Sequence, residues 1–173
     1  MAEAFGAHGR SRLEEVGELL VRRSSVETEN KDQEMETASA TLVGGMHFVG
    51  EIDGFRMDLD ADETVCGVGA GPRPHHLLLE ALASCTGMDV ISILRKKRQL
   101  VSGLSVEVQG YRADQHPRVY TQIEVLYRVQ GQNIDPQAVA RAIELSATRY
   151  CPVMAMLGKV AEIRTRYEIE KES

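Results

Sequence analysis

The sequence predicts a mixed α+β domain rather than a doubly wound parallel sheet, and three observations carry that expectation. Alternating apolar runs pair up twice around turn sequences; residues 77 to 94 are apolar on nearly every helical face; and the order reads hairpin, long helix, hairpin, two helices, strand. At 173 residues the chain suffices for one domain with a sizeable core. That domain is expected over 39 to 173, preceded by an extension over 1 to 38.

In the extension, Leu13, Val16, Leu19 and Leu20 recur at helical spacing, which predicts a short amphipathic helix over about 11 to 22. The run "SSVETENKDQEMETASA" is polar and without periodicity, so it reads as a linker. In "MHFVGEIDGFRMDLDA" two alternating runs flank Asp53-Gly54, a pair suited to the positive φ angles of a type I′ turn, which predicts a β-hairpin. The glycines and prolines of "ETVCGVGAGPRP" mark an irregular approach to the long helix. Pro74 suits a first helical position, because its missing N–H would have no partner there. A helix apolar on nearly every face is expected to be surrounded by other elements on most sides. Arg95, Lys96, Lys97 and Arg98 fall where it ends and complement its last carbonyls.

Leu104, Val106 and Val108 alternate, as do Val119, Thr121, Ile123, Val125, Tyr127 and Val129, with "ADQHP" turning between them into a second hairpin. Asp135 and Pro136 form an N-cap and first-turn pair for a helix to about Thr148, and Pro152 starts another. Ala161, Ile163, Thr165, Tyr167 and Ile169 alternate into a final strand.

A formal charge of -6 argues against nucleic acid or anionic lipid as partner, since neutralising phosphates takes a surplus of Lys and Arg. Glu14, Glu15 and Glu18 are out of place in a mitochondrial presequence, and no secretory pattern opens the chain, so a cytoplasmic location is expected. Glu80, Ser84, Thr86, Asp89 and Ser92 interrupt the apolar run, which favours a buried soluble helix over a membrane span.

The cysteines at 66, 85 and 151 are too few and too scattered for a secreted disulfide scaffold, and no C-x-x-C pair is present. In a reducing compartment any bridge between them would be catalytic or regulatory. Cys151, just before Pro152, is expected to cap its helix, where exposed N–H groups lower a thiol pKa. Cys85 sits mid-helix, and two readings stand side by side: a space-filling buried thiol, or a nucleophile reached by some cation or donor. Cys66 reads as incidental. Glu80, five residues from Cys85, lies about 140° away around the axis. Adjacent His75 and His76 diverge around a helix and none of the usual zinc spacings occurs, so no metal site is expected.

The stretch "RPHHLLLEALASCTGMDV", followed by "ATRYCPVMAML", resembles the OsmC/Ohr family of thiol-dependent peroxide reductases. Pro74 at the opening of the helix, the small-residue run into Cys85 and the late Cys-Pro pair carry the resemblance. It continues through "SVEVQGYR", "YTQIEVLYRVQG" and the last strand, over roughly 40 to 170. The resemblance implies an OsmC-like fold, antiparallel hairpins around a long central helix, in an intertwined homodimer with two active sites near the interface. It implies that Cys85 attacks a small hydroperoxide to leave a sulfenic acid, that Cys151 resolves it as a disulfide, and that an external dithiol reduces the pair. No metal or organic cofactor is needed. Where the family places a glutamate ten residues before the nucleophile, this chain has His75. That glutamate orients an activating arginine from the early hairpin, for which the matching stretch offers Arg56. The mismatch leaves an alternative: a non-enzymatic ligand-binding or redox-responsive module that retains the fold.

Overall fold

The computed structural model describes residues 35–171; the expected helix over 11 to 22 and the linker up to residue 34 lie outside the described residues. In chain order the elements are β1 (Ala38–Gly44), β2 (His47–Ile52), β3 (Phe55–Leu59), a 3₁₀ turn (Glu63–Val65), α1 (His76–Lys96), β4 (Leu100–Arg112) and β5 (Tyr120–Gln132). After them come α2 (Pro136–Leu145), a π-helical turn (Ser146–Tyr150), α3 (Pro152–Leu157) and β6 (Glu162–Lys171). The fold class is the expected α+β, with two three-stranded sheets ordered β1-β2-β3 and β4-β5-β6.

The first hairpin closes where the sequence placed it. Ile52 pairs with Phe55 across Asp53 and Gly54, whose φ angles of 51° and 80° are both positive, as a type I′ turn requires. Strand β1 is an addition, since the sequence predicts its first residues, 38 to 40, as linker. All seven of its residues are exposed, so no buried alternation marks it as a strand.

In the second sheet β5 is central, antiparallel to β4 and parallel to β6. Ile123, Val125, Tyr127 and Val129, successive inward positions of β5, are fully buried. The parallel pairing was not foreseen; it needs a crossover of a dozen residues or more, which α2, the π turn and α3 supply.

Helix α1 starts two residues later than Pro74 suggests. Pro74 sits in a preceding turn, with Leu77 N–H donating to its carbonyl at 3.2 Å and Leu78 N–H to that of His75 at 3.3 Å. The helix ends on Arg95 and Lys96 as expected. The expectation that it is enclosed on most sides needs correction for a single chain. It buries one stripe, Leu82, Thr86, Val90 and Leu94, four residues apart, while Met88 remains 70 % exposed. It packs on β4, α2, the π turn and α3, and among the described residues Leu78 and Met88 stay exposed on its other faces.

The loop between β3 and α1 is organised by one buried carboxylate. Asp60 Oδ1 accepts from Ala61 N–H at 2.7 Å, and Oδ2 accepts from Val68 and Ala70 N–H at 2.9 and 3.1 Å. These donors hold the Asp60 carboxyl below the ordinary carboxylate range. Gly67 lies so close to the Ala61 carbonyl that a Cβ there would collide with it.

Candidate active site

Two elements far apart in sequence bring the sulfurs together. Cys85 lies halfway along α1, beside the buried Thr86. Cys151 is the N-cap of α3, where Pro152 occupies the first turn and Met154 N–H donates to Cys151 Sγ at 3.3 Å. The π turn sets its position: Cys151 N–H reaches back to the Ser146 carbonyl at 3.0 Å, the five-residue closure that widens the helix there. The sulfurs are 3.1 Å apart, with the Cys151 S–H donating to Cys85 Sγ. Cys85 is half-buried and Cys151 only 3 % exposed, so Cys85 is the sulfur an incoming molecule meets.

Cys151 corrects the expectation of a lowered thiol pKa. Burial, then the contact with Cys85, pushes it up to about 11, outweighing the donated N–H of Met154. The cap donor is present, but its effect is smaller than the loss of water around the sulfur. Arg149 does not join the site; its guanidinium lies over the Tyr150 ring at 5.6 Å.

Below the sulfurs runs a buried chain of hydroxyls. Ser146 Oγ donates to Asp89 Oδ2 at 2.9 Å, Thr86 Oγ1 lies 2.9 Å from Ser146 Oγ, and Tyr127 Oη lies 2.7 Å from Thr86 Oγ1. Because each hydroxyl has one proton, Ser146, having donated to Asp89, must accept from Thr86, and Thr86 must accept from Tyr127. The direction is therefore fixed: Tyr127 to Thr86 to Ser146 to Asp89. Desolvation pushes the Tyr127 phenol up to about 12, so it keeps its proton. Sequence reasoning noted Thr86 and Asp89 only as interruptions of an apolar run. The usable signal was the four-residue spacing of Cys85 and Asp89, which puts both on one helical face.

A carboxylate oxygen of Asp89 and the two sulfurs all lie within 4.8 Å of one another. Three such atoms invite a metal, yet tetrahedral zinc with Zn–S near 2.3 Å holds its thiolates about 3.8 Å apart. At 3.1 Å the sulfurs suit bond formation between themselves better.

The other two candidates stand elsewhere. His75 is at the N-cap of α1, about 15 Å along the axis from Cys85 at 1.5 Å per residue. There Arg112 Nη1 lies 3.2 Å from His75 Nε2 and must be the donor, since guanidinium has no acceptor. Burial, then Arg112, His76 and Arg73, keeps the His75 pKa below the usual imidazole value. Arg56 is exposed on β3, cross-strand from Glu51, and makes no ion pair among the described residues. Leu82 and Met154 are core, while Met88 lines an open groove of about 500 Å³ between α1 and β4.

Comparison with known proteins agrees with this architecture. A family model described as OsmC-like protein matches residues 67–166. Protein YhfA of Escherichia coli (strain K12) is 36% identical over 133 residues, 76% of this chain and 96% of the relative. The crystal structure of a hypothetical protein from Aquifex aeolicus VF5 superposes with a TM-score of 0.72 at 28% identity, covering 82% of this chain and 100% of that one. An organic hydroperoxide resistance protein from Elizabethkingia anophelis shares the fold at 13% identity, with a TM-score of 0.63 over 81% of this chain and 99% of that one. With both cysteine contexts inside the matched segment, the chain belongs to the OsmC/Ohr family of OsmC-like proteins.

Proposed function

We propose that the chain is a cytoplasmic, homodimeric thiol peroxidase in which Cys85 reduces organic hydroperoxides or hydrogen peroxide and Cys151 resolves the product. The observation that carries this reading is the 3.1 Å approach of a half-buried sulfur to a buried one whose proton points at it. Cys85 attacks the peroxide O–O bond, becoming a sulfenic acid as the alcohol leaves; Cys151 displaces water from it, and the disulfide is reduced by an external dithiol. The family's peroxide chemistry and the hydroperoxide-resistance neighbour point the same way. Stopped-flow measurement with cumene hydroperoxide tests it. The wild-type protein is expected to consume peroxide, and Cys85→Ser to consume none; equal rates for the two would sink the reading.

The alternative, a binding or redox-responsive module without turnover, draws on two observations. Arg56, offered for the activating role, makes no ion pair among the described residues, and His75 is engaged by Arg112 instead. Under that reading Cys85 resists iodoacetamide near neutral pH and peroxide is not consumed.

A further inference from the structure

Whatever oxidises Cys85, the second sulfur faces an obstacle. Cys151 must lose its proton before it attacks, yet it is buried and points that proton at Cys85. A base is needed inside the site, and the family's glutamate position, His75, is about ten residues of helix away. Among the described residues the carboxylate beside both sulfurs is Asp89, with an oxygen within 4.8 Å of each, while the nearby Tyr127 phenol keeps its proton. Its Oδ2 is held by Ser146, whose own position is set by Thr86 and by the π turn that also places Cys151. A carboxylate has capacity beyond one donor, so the tether orients it without exhausting it.

We infer that Asp89 is the general base and acid of the resolving step, taking the proton from Cys151 and returning it to the oxygen that leaves Cys85. This rests on the peroxidase reading for its physiological oxidant, not for its chemistry. In the reaction Cys151–SH + Cys85–SOH → Cys85–S–S–Cys151 + H₂O, the Cys151 S–H breaks and its proton passes to Asp89. The S–S bond then forms as the Cys85 S–O bond breaks, and the departing hydroxide takes the proton from Asp89 as water. In-line displacement puts the leaving oxygen on the far side of Cys85 Sγ from the attacking Cys151 sulfur, and a carboxylate oxygen within 4.8 Å of Cys85 Sγ can reach it directly or through one water. Ser146 and Thr86 act through Asp89 as positioning residues.

The test separates this step from peroxide chemistry. In a Cys66→Ser background, which removes the exposed third thiol, Ellman's reagent attaches one thionitrobenzoate to Cys85 and releases another; attack by Cys151 then releases the attached one as a second phase at 412 nm. That closure needs the same proton removed from Cys151 and no peroxide. Asp89→Asn is expected to slow release on the order of 100-fold, within the range for losing one acid–base group. Asp89→Glu is expected to recover part of that loss. Ser146→Ala, which unties the carboxylate, should slow release about 5-fold, as loss of one hydrogen bond predicts, and serves if Asp89→Asn does not fold. With cumene hydroperoxide, Asp89→Asn should still oxidise Cys85 but accumulate sulfenic acid trapped by dimedone. Unchanged thionitrobenzoate release in Asp89→Asn and Ser146→Ala overturns the assignment. A wild-type protein that closes with thionitrobenzoate yet ignores peroxide overturns the peroxidase reading and leaves Asp89 in its role.

Discussion

At the scale of single residues the site depends on where protons are held. Cys151 and Tyr127 both carry pKa values raised in the folded state, to about 11 and about 12 from ordinary values of 9.0 and 10.0. A group that binds its proton more tightly when folded stabilises fully below the unfolded pKa, and that stability is lost as pH climbs through the folded value. Reduced protein is therefore expected to weaken progressively above about pH 9, with Cys151→Ser flattening the first part of the decline; urea unfolding at pH 8 and pH 10.5 measures it. The one-way hydroxyl chain makes a second prediction. Tyr127→Phe removes only the terminal donor and should cost about 1 kcal/mol, whereas Thr86→Val leaves unpaired groups on both sides and should cost about 2 to 4. Urea titrations of the two variants check the order. Cys85 and Cys151 were legible because a thiol in an apolar helix and a Cys-Pro helix start are local patterns. Asp89 was legible only in its four-residue spacing from Cys85; its role emerges when Ser146 and Cys151 arrive from a distant turn.

Among the elements, α1 and the loop before it set the geometry by opposite means. The helix is held by a single stripe, so Leu82→Ala, at a fully buried position, should cost about 2 to 5 kcal/mol in urea unfolding and loosen the placement of Cys85. The loop is held by the Asp60 carboxylate and three backbone donors. Its depressed pKa means the contribution is present above the ordinary value of 3.8 and lost as pH falls through the lower folded value. Asp60→Ala should open Ala61 to Pro72 to limited proteolysis at neutral pH, while Asp58, exposed on the neighbouring strand, tolerates alanine without new cleavage. The hairpin at Asp53-Gly54 could be read because its turn chemistry is local; β1 and the parallel pairing of β6 could not. An exposed edge strand has no buried alternation, and alternation within a strand does not say which way its neighbour runs.

Over the whole molecule, several large apolar side chains stay open among the described residues. Met88 on α1 is 70 % exposed, and Leu42, Val43 and Phe55 on the first sheet are exposed at 56%, 60% and 76%. Large exposed apolar side chains point to an association surface, and a helix apolar on nearly every face buries only one stripe among the described residues. The proposed homodimer accounts for both, because a second copy can cover the remaining faces of α1. The sequence shows the helix as apolar all round but does not show which faces its own chain leaves bare. Sedimentation equilibrium is expected to give twice the 19.1 kDa chain mass at micromolar concentration. Met88→Glu should shift it toward monomer, because a charge buried between two apolar surfaces has no partner to offset its lost hydration. The same variant should retain thionitrobenzoate closure between Cys85 and Cys151, since both sulfurs and Asp89 come from one chain. A monomeric wild type, or a Met88→Glu dimer as tight as the wild type, would show that α1 is covered by something other than a second copy.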